Sequence, residues 1–179
     1  MHKDIQSVLF TEEQIKNRVK EMGSRISADF KNLDPIFVGI LKGSFIFMSD
    51  LMRAVDMDCT VDFMGVSSYG RGSVTTGAVK ITKDLNESIE NRSIILIEDI
   101  LDSGVTLNYL VNCLEVRKPA SISIAALLNK PARREKSVKP DYIGFDVPDA
   151  FVVGYGLDYA ERYRNLPYIG VLKPLIYAD

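Results

Sequence analysis

A chain of 179 residues, 46% hydrophobic and 26% charged, fits one domain that buries roughly 70% of the surface its unfolded form exposes, which argues against disorder. Its net charge of −2 argues against coating nucleic acid through a bulk positive field and points to small-molecule partners. A single histidine, His2, and two cysteines, Cys59 and Cys113, exclude a Ser/His/Asp triad and a histidine metal cluster, and make a poor disulfide framework. Acid–base chemistry must therefore use carboxylates, lysines or tyrosines. No apolar run reaches the ~18 residues of a membrane span, and "MHKDIQSVLF" lacks a signal-peptide core, so a cytoplasmic protein with no membrane partner is expected.

In chain order, "TEEQIKNRVKEMGSRISADFKNL" carries Ile15, Val19, Met22, Ile26 and Phe30 at helical spacing behind a Thr11/Gln14 capping box. Asp34 and Pro35 close this helix, and "IFVGIL" at 36–41 predicts a buried strand. The turn "LKGS" leads to a second helix with Phe45, Met48, Leu51, Met52 and Val55 on one side. "CTVDFMGVSSY" predicts a strand, and the Gly/Ser/Thr-rich "GRGSVTTG" after it predicts a loop with no apolar anchor. "VKITKDL" and "SIILIED" return as strands. A helix then carries Leu107, Leu110, Val111 and Leu114, and "SISIAALL" and "DYIGFDV" follow as strands joined by the basic "NKPARREKSVKP". Alternating strands and helices predict a doubly wound α/β fold, a mainly parallel sheet with helices on both faces and ligands at the carboxyl ends of its strands.

The stretch "EDILDSGVT" crowds Glu98, Asp99 and Asp102 where a buried strand ends and a helix begins. Free amides at a helix start attract an anion, Ser103 and Thr106 add hydroxyl donors, and Gly104 permits close approach of a phosphate. The paired acids call for a cation, sugar hydroxyls or protonation. A phosphate beside a diol satisfies both halves. The plainer alternative is that Asp102 and Ser103 cap the helix while the other acids are solvated. Walker A does not fit, since "DSGVT" lacks its GK[ST] ending.

An apolar strand followed by "EDILDSGVT" resembles the phosphoribosyl pyrophosphate motif of the type I phosphoribosyltransferases. The order "ILKGS", "SSYGRGSVTTG", "LLNK", "KPDYIGFDVPDAFVVGYGLDY" and "YRNLP" resembles the hypoxanthine or hypoxanthine-guanine branch in a short bacterial-type form. This resemblance implies a single domain over 1–179, with a core at about 35–149 and a small hood built from about 1–34 and 150–179. It implies that Glu98 and Asp99 face the ribose hydroxyls and a magnesium ion, and that Asp102, Ser103, Gly104, Val105 and Thr106 wrap the 5′-phosphate. Asp102 also matches the general base for the purine N7 proton. Lys42 and Gly43 match the pyrophosphate loop, whose peptide is often cis, and Arg164 matches a pyrophosphate contact. Lys130 matches the donor to a 6-oxo group, Phe151 the stacking ring, Val152 the backbone at the base edge and Asp158 a second magnesium ligand beside the purine. Ser68 and Tyr69 begin the segment that folds over the site.

The implied reaction is purine salvage: phosphoribosyl pyrophosphate and hypoxanthine or guanine give IMP or GMP and pyrophosphate, with Mg2+ as cofactor, in a homodimer or homotetramer. Bare residue types leave plainer readings open, with Lys42 a solvated turn residue and Phe151 and Val152 core strand residues. Two alternatives of function also stand. One is a xanthine-guanine-preferring enzyme. The other is a non-catalytic RNA-binding regulator on the same fold, whose basic face is sought at Arg133, Arg134, Lys136 and Lys139, although a solvated connection is the simpler reading and no nucleic-acid partner is expected.

Overall fold

The computed structural model describes residues 1–68 and 79–177. Tyr69 and the "GRGSVTTG" segment lie outside the described residues, and Ser68 is described only as the last residue of a strand.

Strand β1 (Ile5–Phe10) precedes helix α1 (Glu12–Asp29), which starts at the capping box: Thr11 Oγ1 accepts from the Gln14 amide and Gln14 Oε1 from the Thr11 amide. Then come β2 (Ile36–Leu41), α2 (Phe45–Ala54), β3 (Thr60–Ser68), β4 (Val79–Lys83) and β5 (Ser93–Leu101). Helix α3 (Val105–Glu115), β6 (Ser121–Asn129), a short 3-10 turn at Pro131–Arg133 and β7 (Tyr142–Asp146) complete the larger sheet. Its strand order is β4-β3-β2-β5-β6-β7, with every pairing parallel except β3 with β4.

Strand alternation divides the apolar residues between two faces. On one, Phe37, Ile95, Ile97, Ala125 and Leu127 pack with the buried stripes of α1 and α2. On the other, Val38, Ile40, Ile94, Leu96, Ile124 and Ala126 pack with Leu107, Leu110 and Leu114 of α3. Helices thus cover both faces, which is why the central strands are apolar throughout rather than alternating.

The stripe on α2 differs from the expectation. Its buried residues are Phe47, Met48 and Leu51, whereas Phe45, in the first turn, is 45% exposed. The helix starts at the rim of the sheet, so its first side chain projects past the core.

A second sheet, β1-β9-β8, joins both chain ends through β8 (Val152–Val153) and β9 (Ile169–Leu172), followed by α4 (Pro174–Tyr177). Its core holds Ile5, Val153, Tyr163 and Leu172. Helix α1, expected with this small subdomain, packs instead with α2 and β7, because its buried stripe of Ile15, Val19, Met22 and Ile26 belongs to the core of the larger sheet.

Candidate active site

The chain leaves β2 through α2 toward β3 and leaves β5 through α3 toward β6, so the strand order reverses between β2 and β5. A crevice outside the carboxyl ends of these strands is where open α/β sheets bind ligands. The two loops there are Lys42–Ser44 and Asp102–Gly104. A Cβ added to Gly43 would collide with Oδ2 of Asp99 in β5, and one added to Gly156 would collide with the carbonyl oxygen of Gly43. The Leu41–Lys42 peptide is cis.

The acids sit at the end of β5. Glu98 and Asp99 are only partly exposed, and Oε2 of Glu98 is fully enclosed without a hydrogen-bond partner. Burial, reinforced by the neighbouring Asp99 charge, pushes the Glu98 carboxyl well above its usual range. Burial also raises Asp99, to about 6, against the lowering pull of the Ile100 and Asp99 amides and Arg164, while Asp158 adds to the rise. Ile100 N–H donates to Asp99 Oδ1 at 2.9 Å.

At the start of α3, Gly104 has φ +80°, a conformation that favours glycine. Ser103 Oγ accepts from the Val105 amide at 3.3 Å. Asp102 forms no cap; its Oδ1 is enclosed and unpartnered. The N-cap position is Gly104, so Asp102 does not cap the helix and Ser103 contributes only this one bond to its start.

Asp99, Asp102, Lys130, Phe151, Val152 and Asp158 line one cavity of about 320 Å³, together with Ile100, Leu157 and Tyr177. Lys130 is buried and donates to the Ala150 carbonyl at 2.9 Å, with Asp149 Oδ1 at 3.3 Å. Phe151 is 37% exposed; its ring stacks on Tyr177 at 4.9 Å and meets Tyr159 edge-on at 5.5 Å. Arg164 donates to the Gly156 carbonyl at 2.7 Å and pairs with Asp158 at 2.8 Å, while its Nε is enclosed and unpartnered. Lys42 reaches the same cluster through Glu161, which lies 3.1 Å from its Nζ and 3.3 Å from Arg164.

Among the described residues, Glu98 Oε2, Asp102 Oδ1 and Arg164 Nε are the buried side-chain polar atoms without a partner. Asp102 lines this cavity, Glu98 precedes its lining residue Asp99 in β5, and Arg164 pairs with its lining residue Asp158 while itself facing a neighbouring cleft of about 600 Å³. A larger cleft of about 780 Å³ between α1, α2 and residues 155–167 contains none of them. Buried polar groups are rarely left unpaired, so these three atoms call for explanation.

Residues 6–160 match the phosphoribosyl transferase domain. The chain belongs to the phosphoribosyl transferase family. It is 55% identical over 177 residues to the hypoxanthine-guanine phosphoribosyltransferase of Bacillus subtilis, covering 99% of this chain and 98% of that one. It is 53% identical over 179 residues to the bifunctional protein TilS/HprT of Listeria innocua, where it spans 28% of the relative's length. A crystal structure of a hypoxanthine phosphoribosyltransferase from Staphylococcus aureus superposes with a TM-score of 0.96 at 51% identity, covering 100% of this chain and 97% of that one. The doubly wound, mainly parallel sheet is thus the type I phosphoribosyltransferase fold.

Several residues of this phosphoribosyl transferase chain at the site were not singled out for it by the sequence. Tyr177 stacks on Phe151, yet a lone aromatic two residues from the chain end carries no signal. Asp149 holds both Lys130 and, at 2.6 Å, Arg133. Arg134, read as a solvated cation, donates to the carbonyls of Asp102, Val138 and Leu101 and to Asn129 Oδ1. Two of the four cations proposed as an RNA-binding face are therefore engaged within the protein.

No helix of the described residues is long and apolar enough to cross a membrane. Among them, no three His, Cys, Asp or Glu side chains form a ready-made metal cage. Magnesium is commonly held by one or two carboxylates together with substrate phosphates, so Glu98 and Asp99, adjacent carboxyls that burial holds above their usual range, fit that ion rather than a dedicated cage.

Proposed function

We propose that this protein transfers the 5-phosphoribosyl group from phosphoribosyl pyrophosphate to N9 of hypoxanthine, and of guanine, giving IMP or GMP and pyrophosphate. The observation that carries the reading is the trio of enclosed, unpartnered atoms: two carboxyl oxygens, pure acceptors when ionised, and one guanidinium nitrogen that only donates. A substrate with ribose hydroxyls, a protonated purine nitrogen and pyrophosphate oxygens satisfies all three.

On this reading the Asp102–Thr106 turn takes the 5′-phosphate with its free helix-start amides. Gly43, Lys42 and Arg164 hold the pyrophosphate, a planar guanidinium suiting two phosphate oxygens. Phe151 stacks on the base and Val152 meets its edge. Lys130 donates to the 6-oxo group, and an ammonium, having no acceptor, disfavours the 6-amino group of adenine. Glu98, Asp99 and Asp158 would hold magnesium, which when bound neutralises charge on the leaving group.

N9 attacks C1′ as the bond from C1′ to the pyrophosphate oxygen breaks, with inversion and oxocarbenium character. Asp102 accepts the N7 proton, so the purine ends neutral and the pyrophosphate carries away the electron pair. Ser68 and Tyr69 begin the segment assigned to excluding water from this cation. Assembly as a homodimer or homotetramer and a cytoplasmic setting complete the proposal.

The test is a purine panel with phosphoribosyl pyrophosphate and Mg2+, followed by absorbance. Turnover of hypoxanthine and guanine but not adenine is expected. Preference for xanthine over hypoxanthine would move the assignment within the class, and silence on every base would sink it.

A further inference from the structure

The end of β5 and the turn after it expose three consecutive carbonyls, and the segment after β6 takes every one of them. Leu101 O accepts from the Lys130 amide at 3.0 Å and from Arg134 Nη2 at 3.3 Å. Asp102 O accepts from Arg134 Nε at 3.0 Å. Ser103 O accepts from the amides of Glu135 and Lys136 at 2.9 and 3.0 Å. The guanidinium is itself fixed, by Val138 O at 2.7 Å and by Asn129 Oδ1 at 2.6 Å, and Asn129 is held in turn by Asp146 at 2.6 Å.

A peptide unit points its C=O and N–H in opposite directions. Drawing the carbonyls of 101–103 toward residues 130–136 therefore commits the following amides to the other side, where the start of α3 offers its unpaired donors. Gly104 is part of the same contact: a Cβ there would crowd Lys136 O at 3.0 Å and Arg134 Cδ at 3.1 Å. Arg134 touches the turn only through its backbone, away from the cavity that holds the Asp102 carboxyl.

We propose that Arg134 is a positioning residue that aims the Asp102–Thr106 turn at the substrate phosphate by gripping its carbonyls from behind. The planar fork matters, because one group must serve two adjacent carbonyls and an amide oxygen at once, which a lysine ammonium on a flexible stem does poorly. The inference rests on the phosphate-binding role given to this turn above.

The experiment compares wild type, Arg134→Lys and Arg134→Ala in steady-state kinetics, in calorimetric titration with ribose 5-phosphate, and in thermal unfolding. Loss of charge-assisted hydrogen bonds raises KM for phosphoribosyl pyrophosphate and Kd for ribose 5-phosphate by about tenfold or more, with KM for hypoxanthine within twofold. Lysine restores less than half of the effect, and added guanidinium improves ribose 5-phosphate binding in Arg134→Ala but not in wild type. Unchanged ribose 5-phosphate affinity in both variants, whatever the melting temperature, overturns the proposal, as does an equal rise in both Michaelis constants. Wild type that binds ribose 5-phosphate but turns over no purine would overturn the proposed function while leaving the Arg134 comparison readable by calorimetry alone.

Discussion

Gly43 lies so close to Asp99 that the glycine hydrogen occupies the only space a side chain would take beside Oδ2 of the carboxylate. Gly43 lies in the loop after β2 and Asp99 near the end of β5, so this contact sets how closely that loop sits against β5 where strand order reverses. Gly43→Ala should overpack the crevice, costing about 1–3 kcal/mol. Displacement of Asp99 should lower kcat/KM for phosphoribosyl pyrophosphate by roughly 10²-fold. Kinetics with thermal unfolding check it; a fully active variant would show that the loop can move off β5 freely.

Glu98 and Asp99 hold their protons more tightly in the folded protein than in the unfolded chain, because burial penalises their charged forms. Carboxyls of this kind stabilise the fold at acid pH, and that contribution is lost as pH rises through the raised folded values. Glu98→Gln should therefore stabilise the substrate-free protein at pH 8 by about 1 kcal/mol, with the gain shrinking toward pH 4. The same variant should bind phosphoribosyl pyrophosphate more weakly. Chemical denaturation at the two pH values measures the first effect and calorimetry the second.

Asp102 presents an enclosed oxygen to the cavity. Asp102→Asn keeps the shape and removes the base, so turnover should fall by roughly 10²-fold or more, while phosphoribosyl pyrophosphate binding stays largely intact. Single-turnover kinetics resolves the two, and near-wild-type turnover would remove Asp102 from proton transfer.

Lys130 is braced by Ala150 O and Asp149, and Asp149 keeps Arg133 as a second partner. Lys130→Met should leave no carboxylate stranded, yet raise KM for hypoxanthine roughly 10- to 10²-fold through loss of one charged hydrogen bond. KM for phosphoribosyl pyrophosphate should stay within twofold.

Tyr177 stacks on Phe151 from the last helical turn of the described chain. Tyr177→Ala should loosen that ring and raise hypoxanthine KM roughly two- to tenfold, the worth of one aromatic pair. Tyr177→Phe should restore it, because the contact is between ring faces.

The larger sheet was legible because its strands are short, β-branched and apolar on both faces, and its helices carry unbroken stripes such as Ile15, Val19, Met22 and Ile26. The small sheet was not. In β1 only Ile5 is buried among the six residues, and β8 has two residues, so neither presents a pattern that local spacing can reveal. Arg134 was misread for a related reason. An arginine in a polar loop looks solvated until the loop is seen lying against three carbonyls that are distant in sequence.

The local order of residues in "EDILDSGVT" determined by itself that acids at a strand end lie next to helix-start amides, since neighbours in sequence are neighbours in space. The alternation of apolar strands and helices determined the layers around it. Only the tertiary structure decided which distant groups meet there: Gly43 against Asp99, Arg164 against Asp158, Tyr177 on Phe151 and Arg134 beneath the turn. Such contacts depend on how strands are ordered in the sheet and where both chain ends return, and neither is written in the spacing of any one segment.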